Sequence, residues 1–296
     1  MSALLTTRNA HIFAERTFER VHVVERIPWP KHGYTPQTWE LALGQATHAR
    51  YDIALIASEE PQAYSFAKRA KIAKRVGFFN GWEKPFKSLW ARTQCTTAIY
   101  REASLPAHPQ AEPLVLFALG NGLHPERAPT QDASRLRPLV VEEVGPLQER
   151  VLIQLTPKWI AGDRTPGEIA SWLRELCDYR PCSVIAAQDE QQAVQEIAQS
   201  GGLDVHYFND QRAWKAAIAQ APLLITPDTG AAHVAGMVGT PVVDIFEERD
   251  FVRYTSRWAP WAAPVRMISF PTGANKSQMP RRMMDAAQAL VAAWAQ

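Results

Sequence analysis

The sequence contains only three cysteines, Cys95, Cys177 and Cys182, and none of them has the companions of a metal site. So few cysteines exclude a disulfide framework and favour a reducing compartment such as the cytoplasm. No signal peptide is visible, and no apolar run reaches the roughly eighteen residues that a membrane-spanning helix needs. The formal net charge of +2 gives no reason to expect a nucleic-acid partner.

Short apolar strands alternate with helices along the whole chain, which predicts an α/β fold with parallel sheets. A length of 296 residues with 46% hydrophobic content suits one large domain or two medium ones. Early helices are expected over residues 9–15 and 37–49. Residues 125–146 are rich in proline and charge and lack periodicity, so they predict a linker. We therefore expect two domains, residues 1–148 and 149–296, with a terminal helix packing back on the junction.

Residues 223–246, LLITPDTGAAHVAGMVGTPVVDIF, form the most informative stretch of the sequence. They predict a buried strand, a polar turn, an alanine-rich helix that ends at Gly239, and a second strand. Gly230 and the two alanines after it leave the first helical turn bare, so its N–H groups can meet an anion such as a phosphate. His233 lies one turn further and can add a donor. Alternatively, Asp228 is a helix N-cap and Gly230 a packing glycine.

Asp228-Thr229-Gly230, His233, Ala235 and then Gly239-Thr240-Pro241 resemble the D-[ST]-G-x-x-H-x-A…G-x-P signature of the glycosyltransferase family 9 heptosyltransferases. The resemblance implies a GT-B type fold, in which two Rossmann-like parallel-sheet domains face each other across a cleft. It also implies that the loop and helix around Asp228, Thr229, Gly230 and His233 hold the diphosphate of a nucleotide-sugar donor. In the family this donor is usually ADP-heptose.

Two further loops of the C-terminal half resemble donor-binding loops of that family. Thr156 and Lys158 follow the strand at 151–155, and the family's Lys at this place contacts the donor phosphates. A lysine there would neutralise the leaving diphosphate, although it could also be a surface residue. After the strand at 183–187, Asp189 or Glu190 could hold the donor ribose as the family's acidic residue does. Both could equally be ordinary acids of a first helical turn.

The catalytic base is the least defined part of the resemblance. The family begins with an earlier strand and a glycine-containing loop that carries an acidic catalytic residue, whereas this chain opens at what corresponds to the second strand. A strand–helix unit of roughly 30 residues is therefore expected to be absent. Glu59 and Glu60 follow an N-terminal strand at 51–57 and are the candidates for the base. Glu247 and Glu248 are the alternatives from the other half.

These features predict an inverting glycosyltransferase that moves a sugar from an ADP-sugar to a saccharide or glycolipid acceptor, such as a lipopolysaccharide core. The sequence has no Asp-x-Asp metal motif, so we expect no metal and no cofactor besides the nucleotide-sugar substrate. One alternative is a catalytically impaired relative that binds the nucleotide sugar and acts as a partner or scaffold. Another is a sugar-nucleotide epimerase of the same architecture, against which the Asp-Thr-Gly-x-x-His pattern argues.

Residues 68–92 are strongly basic, with Glu83 as their single acid. Solvated helix faces are one explanation, and a surface that meets a phosphorylated sugar or the anionic inner leaflet is another. Trp82, Phe86 and Trp90 interleave with the basic residues, as in an amphipathic interfacial element. The sequence therefore predicts a cytoplasmic protein with a possible peripheral contact at the inner face of the membrane.

Overall fold

The chain forms two compact units, each built on parallel β-structure. The structure, a computed structural model, describes residues 1–27, 37–58, 60–101, 112–123, 132–143 and 145–294. One unit comprises residues 1–11 and 18–130, and the other comprises residues 12–17 and 131–296. Among the described residues, every paired strand runs parallel to its neighbour. The predicted α/β class is confirmed.

The first unit contains a two-stranded and a three-stranded parallel sheet, the latter in the order β3-β4-β5. Its strands are β1 (Ser2–Thr6), β2 (Arg20–Val24), β3 (Ile53–Ile56), β4 (Lys74–Phe79) and β5 (Thr97–Tyr100). Its helices are α1 (Thr7–Ala10), α2 (Gln37–Ala49), α3 (Pro61–Arg69), α4 (Pro85–Gln94) and α5 (Glu112–Gly120).

Aromatic packing between helices organises the core of the first unit. Trp39 of α2 is buried and meets Phe66 of α3 edge-on, with 4.9 Å between ring centroids. The Tyr64 hydroxyl donates a hydrogen bond of 2.7 Å to the carbonyl oxygen of Phe78 in β4. Because α2 buries residues 39, 42, 43 and 46, it has the apolar face that helical spacing predicts. Leu41 of the same helix is exposed.

The second unit holds a six-stranded parallel sheet in the order β11-β10-β9-β6-β7-β8. Its strands are β6 (Val151–Leu155), β7 (Cys182–Ala187), β8 (Val205–Phe208), β9 (Leu224–Pro227), β10 (Val242–Glu247) and β11 (Val265–Phe270). Its helices are α6 (Ala133–Leu136), α7 (Pro166–Tyr179), α8 (Gln191–Gly201), α9 (Gln211–Gln220), α10 (Gly230–Val238), α11 (Phe251–Trp258) and α12 (Met279–Trp294). None of the helices in the described ranges is both long enough and apolar enough to cross a membrane.

Both faces of the six-stranded sheet are buried under helices. Ile153 and Val243 face the core formed with α7 and α12, while Leu224 and Val242 face the core formed with α9 and α10. This double coverage explains why the strands read as nearly continuous apolar runs in the sequence. Gly236 sets the distance of α10 from its neighbours, because a Cβ atom there would lie 2.6 Å from the backbone nitrogen of Trp261.

The strand order of the second unit reverses beside its first strand. The chain runs from β6 outward to β7 and β8, then returns to β9 on the other side of β6 and continues to β10 and β11. In such doubly wound sheets, ligands bind outside the carboxyl ends of the strands at this switch point. The loops after β6 and β9 are therefore the expected walls of a binding site.

One predicted helix differs in the structure. The helix expected over residues 9–15 ends at Ala10, because the following residues are held by the second unit. The Ala14 N–H donates to the carbonyl oxygen of Leu139 at 2.8 Å, and Lys215 Nζ donates to the carbonyl oxygen of Ile12 at 3.0 Å. The linker at 125–146 stays a prediction; the described part of that stretch contains α6, which packs against α10.

Candidate functional site

The N-terminus of α10 is open to solvent at the carboxyl end of β9. Thr229 is the N-cap residue, and its hydroxyl makes no capping hydrogen bond but lies 3.1 Å from the hydroxyl of Thr226. The interpretation of Asp228 as the N-cap is therefore wrong. Gly230 is exposed, and a Cβ atom built on it would meet nothing within 4 Å. The open space in front of the first helical turn can accept an anion, which the helix dipole favours.

Lys158 reaches this helix start from the loop after β6. Its backbone N–H donates to the Thr156 hydroxyl at 3.3 Å, which begins the short 3-10 turn Pro157–Ile160. Its Nζ atom donates to the carbonyl oxygen of Asp228 and lies 3.7 Å from Asp228 Oδ2. The two loops of the switch point are thus joined, and an ammonium group lies beside the open helix N-terminus.

These groups surround one open cleft of about 250 Å³ in the second unit. Five residues that the sequence predicted come together there, and two aromatic residues of α11 were not predicted. Sequence patterning could have found those two, because their four-residue spacing places both on one side of a helix that follows the carboxyl end of β10. The lining residues are Lys158, Asp228, Thr229, Gly230, His233, Tyr254 and Trp258.

His233 forms the inner wall of the cleft. Burial lowers the pKa of this imidazole, the Asp228 carboxylate opposes the change, and the Lys158 ammonium group adds to it. The ring meets Trp258 edge-on, with 6.2 Å between centroids. At neutral pH a histidine with a lowered pKa is neutral, so it offers a ligand one N–H donor without a charge.

The remaining predicted site residues lie elsewhere. Thr156 is buried under the Lys158 turn, and Glu190 ends a 3-10 turn after β7; neither lines the cleft. Glu60 belongs to the first unit, where it precedes α3, and its buried Oε2 atom has no hydrogen-bond partner among the described residues. Glu59 lies outside the described residues. The roles assigned to these four residues stay predictions.

The donor set of the cleft suits an anion. A lysine, the backbone N–H groups of a helix start and an imidazole are all hydrogen-bond donors that phosphate oxygens accept. Among the described residues, the Asp228 carboxylate is the one negatively charged group that lines the cleft, and it lies near Lys158. In the part of the chain that the structure describes, no group of three or more His, Cys, Asp or Glu side chains is placed to hold a metal ion.

Arg164, which the sequence did not single out, fixes the turn that carries Lys158. Its buried guanidinium donates to the carbonyl oxygens of Lys158 at 3.0 Å and Trp159 at 2.8 Å. It also makes two bonds, of 2.6 and 3.0 Å, to the carboxylate of Glu247 at the end of β10. Its carbon Cζ stacks 3.8 Å from the ring centroid of Phe270. Glu247, an alternative base in the sequence, is therefore an ion-pair partner.

Replacing Arg164 with lysine should lower the free energy of unfolding by about 2 kcal/mol. Lysine keeps the charge but loses the planar fork, so Glu247 and the two carbonyl groups cannot all keep their donors. Urea denaturation of Arg164→Lys measures this change. Arg174→Lys, on the exposed face of α7, is the matched control, and an equal loss in both variants would contradict the prediction.

Asp244 is a second residue that the sequence did not single out. It lies in β10 opposite Thr226 of β9 and is fully buried. Within the described residues, neither carboxylate oxygen has a hydrogen-bond partner. Burial, and to a smaller extent the nearby Asp228 carboxylate, raise the pKa of Asp244 to about 8, and the Lys158 ammonium group opposes them. A carboxyl group close to the charges of the cleft is thus kept protonated at neutral pH.

Comparison with known proteins agrees with the site. Residues 210–287 match the family described as glycosyltransferase family 9 (heptosyltransferase), and they include α10 and most of the cleft. No curated protein matches the chain. The resemblance stated from the sequence is confirmed, and the match supports glycosyltransferase activity.

Solved structures similar to this chain have the same fold at low sequence identity. A family 9 glycosyltransferase from Veillonella parvula has a TM-score of 0.67 and 13% identity, over 98% of this chain and 87% of that one. E. coli heptosyltransferase WaaC with ADP has a TM-score of 0.63 and 14% identity, over 98% of this chain and 99% of that one. E. coli ADP-heptose lps heptosyltransferase II has a TM-score of 0.61 and 15% identity, over 94% of this chain and 85% of that one. The predicted GT-B type fold is confirmed.

Proposed function

We propose that this glycosyltransferase moves a sugar, heptose or a close relative, from an ADP-sugar to a hydroxyl group of a saccharide acceptor. One observation carries the proposal: Lys158, the uncapped start of α10 and His233 converge on one cleft at the switch point of a doubly wound sheet. The family match covers that helix. A similar structure, WaaC, was solved with ADP, and this supports an adenine nucleotide as the donor moiety.

The cleft would stabilise the diphosphate as it leaves the sugar. Breaking the glycosidic bond of the donor leaves an additional negative charge on the diphosphate, and the Lys158 ammonium and the α10 N–H groups would compensate it. The neutral imidazole of His233 would donate one more hydrogen bond. Since the Asp228 carboxylate would repel a phosphate, its contribution would be to hold Lys158 in place. We propose that these groups do the work that a metal ion does in other transferases.

The nucleoside would lie beyond the phosphates against α11. Tyr254 and Trp258 are the aromatic residues of the cleft, and aromatic rings pack well on the flat face of a base. Glu190, or Asp189 beside it, follows the carboxyl end of β7, where it would accept hydrogen bonds from the ribose hydroxyls. Thr156 would act indirectly, through the backbone of Lys158.

The acceptor hydroxyl would attack the anomeric carbon from the face opposite the diphosphate, which inverts the configuration. The new glycosidic bond forms as the bond to the diphosphate breaks, and the hydroxyl proton passes to a carboxylate. Glu60 is our candidate for that carboxylate, with Glu59 as the alternative. Both follow the carboxyl end of β3, the edge of a parallel sheet at which ligands bind.

We place the reaction in the cytoplasm, the compartment that contains nucleotide sugars and keeps cysteine thiols reduced. A lipopolysaccharide core or a related glycan is the acceptor that we propose, by analogy with the heptosyltransferases of similar fold. A lipid-linked acceptor would require the protein to work at the inner face of the membrane. Peripheral contact with that face is therefore part of the proposal.

Isothermal titration with ADP, UDP and GDP tests the donor site. We expect ADP to bind most tightly, and Lys158→Met to weaken it by about tenfold, since one charge-assisted hydrogen bond is lost. Lys84→Met, an exposed lysine of the first unit, should bind as the unchanged protein does. Absence of binding to all three diphosphates would overturn the donor site, and ADP binding without transfer from any ADP-sugar would favour a nucleotide-binding partner protein.

A further inference from the structure

Three large apolar side chains project into solvent from one face of the first unit. Trp82 is 93% exposed in the 3-10 turn Gly81–Glu83, and Phe86 and Leu89 of α4 are 88% and 65% exposed. Their spacing of four and three residues places Phe86 and Leu89 on one side of the helix, with Trp82 one turn before them. We name this surface of Trp82, Phe86 and Leu89 the α4 face.

The α4 face is not the side by which the helix packs. Ser88 and Ala91 are buried, and the ring of Trp90 lies edge-on to Tyr64 with 6.1 Å between centroids. The predicted amphipathic element therefore has Trp90 on its inner side. Single exposed apolar residues are common, but two on a ten-residue helix and a third in the turn before it mark a surface for binding a partner.

Basic residues are close in sequence to the α4 face. Lys84, Lys87 and Arg92 belong to the same segment, and Lys68 of α3 donates to the carbonyl oxygen of Thr93 at the end of α4 at 3.3 Å. The sequence between residues 68 and 92 has a single acid, Glu83. A partner of this surface must therefore present both apolar groups and negative charge.

We infer that the α4 face docks on a lipid bilayer that contains anionic headgroups. Trp, Phe and Leu on one face with Lys and Arg beside them are the composition of helices that lie in the membrane interface. The apolar rings would enter the headgroup–acyl boundary, and the lysines would meet lipid phosphates. With ten residues, α4 is about 15 Å long, so it can lie in the interface but cannot cross it.

This inference rests on the peripheral membrane contact in the proposed function and deepens it by naming the surface that makes the contact. Its test is separate from nucleotide binding, because the α4 face and the cleft at Lys158 belong to different units. Docking would bring the enzyme to an acceptor that is itself anchored in a membrane. The surface is therefore a second binding site, with a lipid surface as its ligand.

Vesicle sedimentation of the full chain tests the inference. The unchanged protein should sediment with vesicles of phosphatidylcholine and phosphatidylglycerol, and at least about tenfold less with phosphatidylcholine alone. The double variant Trp82→Ser/Phe86→Ser should lose at least about tenfold in its bound-to-free ratio. Lys84→Glu/Lys87→Glu should lose the preference for phosphatidylglycerol. The matched control is Leu41→Ser/Val252→Ser, two exposed apolar residues elsewhere, which should bind as the unchanged protein does.

Titration with ADP keeps this test separate from the donor site, because all four proteins should bind the nucleotide equally. Failure of the unchanged protein to bind either vesicle would overturn the inference, as would an equal loss in the control variant. Sedimentation velocity gives a further decision. If the unchanged protein is a dimer that does not bind vesicles, and Trp82→Ser/Phe86→Ser is a monomer, the α4 face would be assigned to self-association instead.

Discussion

Gly230→Val should lower the affinity for ADP by at least about 100-fold while the protein remains folded. The backbone at Gly230 does not require glycine, since its φ angle is not among the positive values found in the chain. A Cβ atom there meets no protein atom within 4 Å, so the added side chain enters the cleft instead. It would keep phosphate oxygens from the N–H groups of the first turn. Two charge-assisted hydrogen bonds of about 1.5–3 kcal/mol each would be lost.

Gly167→Val is the control for this experiment. Gly167 also lies in the first turn of a helix and is exposed, and a Cβ atom there would meet nothing within 4 Å, yet it does not line the cleft. Both substitutions place a β-branched residue in a first turn, so they should change the free energy of unfolding by a similar small amount. Titration and urea denaturation of the two variants measure both effects. Unchanged ADP affinity in Gly230→Val would show that the nucleotide does not reach the start of α10.

The structure around Asp228 could be predicted from the sequence because the residues that form it are adjacent in the chain. The apolar run before Pro227, the bare turn at Gly230 and the helix end at Gly239 are each local features, and all three are present in the structure. Gly239 has φ of +83°, and the Thr240 N–H returns to the carbonyl oxygen of Ala235 at 3.0 Å, as a glycine C-cap requires.

Lys158 was predicted by resemblance rather than by local pattern. Its contact with Asp228 joins loops that are 70 residues apart in sequence. That contact exists because β6 and β9 are neighbours in the sheet, and no spacing within either loop indicates it.

Contacts between distant segments account for what the sequence did not predict. Arg164 and Glu247 are 83 residues apart, and each reads as an ordinary charged residue of a loop. The helix predicted over residues 9–15 had an acceptable local pattern. In the structure, however, backbone groups of its second half form hydrogen bonds with Leu139 and Lys215 instead of with each other. Tertiary hydrogen bonds therefore decided where α1 ends.

Asp244→Asn should become more stable than the unchanged protein as the pH rises, by about 4 kcal/mol between about pH 5 and pH 8. In the unfolded chain the carboxyl group loses its proton near the ordinary pKa of 3.8, whereas burial raises the pKa in the folded chain to about 8. Between these values the folded protein holds one proton more than the unfolded protein. Its stability therefore falls by about 1.4 kcal/mol for each pH unit. Below a pH of 3.8 both states are protonated, and the cost disappears.

Asparagine has nearly the shape of the protonated carboxyl group but does not titrate, so Asp244→Asn isolates the charge from the packing. Urea denaturation of both proteins across this pH range gives the difference directly, because titrations of all other groups cancel. Asp178→Asn, an exposed residue near the end of α7, should run parallel to the unchanged protein. Parallel profiles for Asp244→Asn would mean that water or a bound cation reaches this carboxylate. The predicted divergence would instead show that the sheet keeps a proton on Asp244, next to the strand that leads into the Asp228 loop, at a cost in stability typical of a functional site.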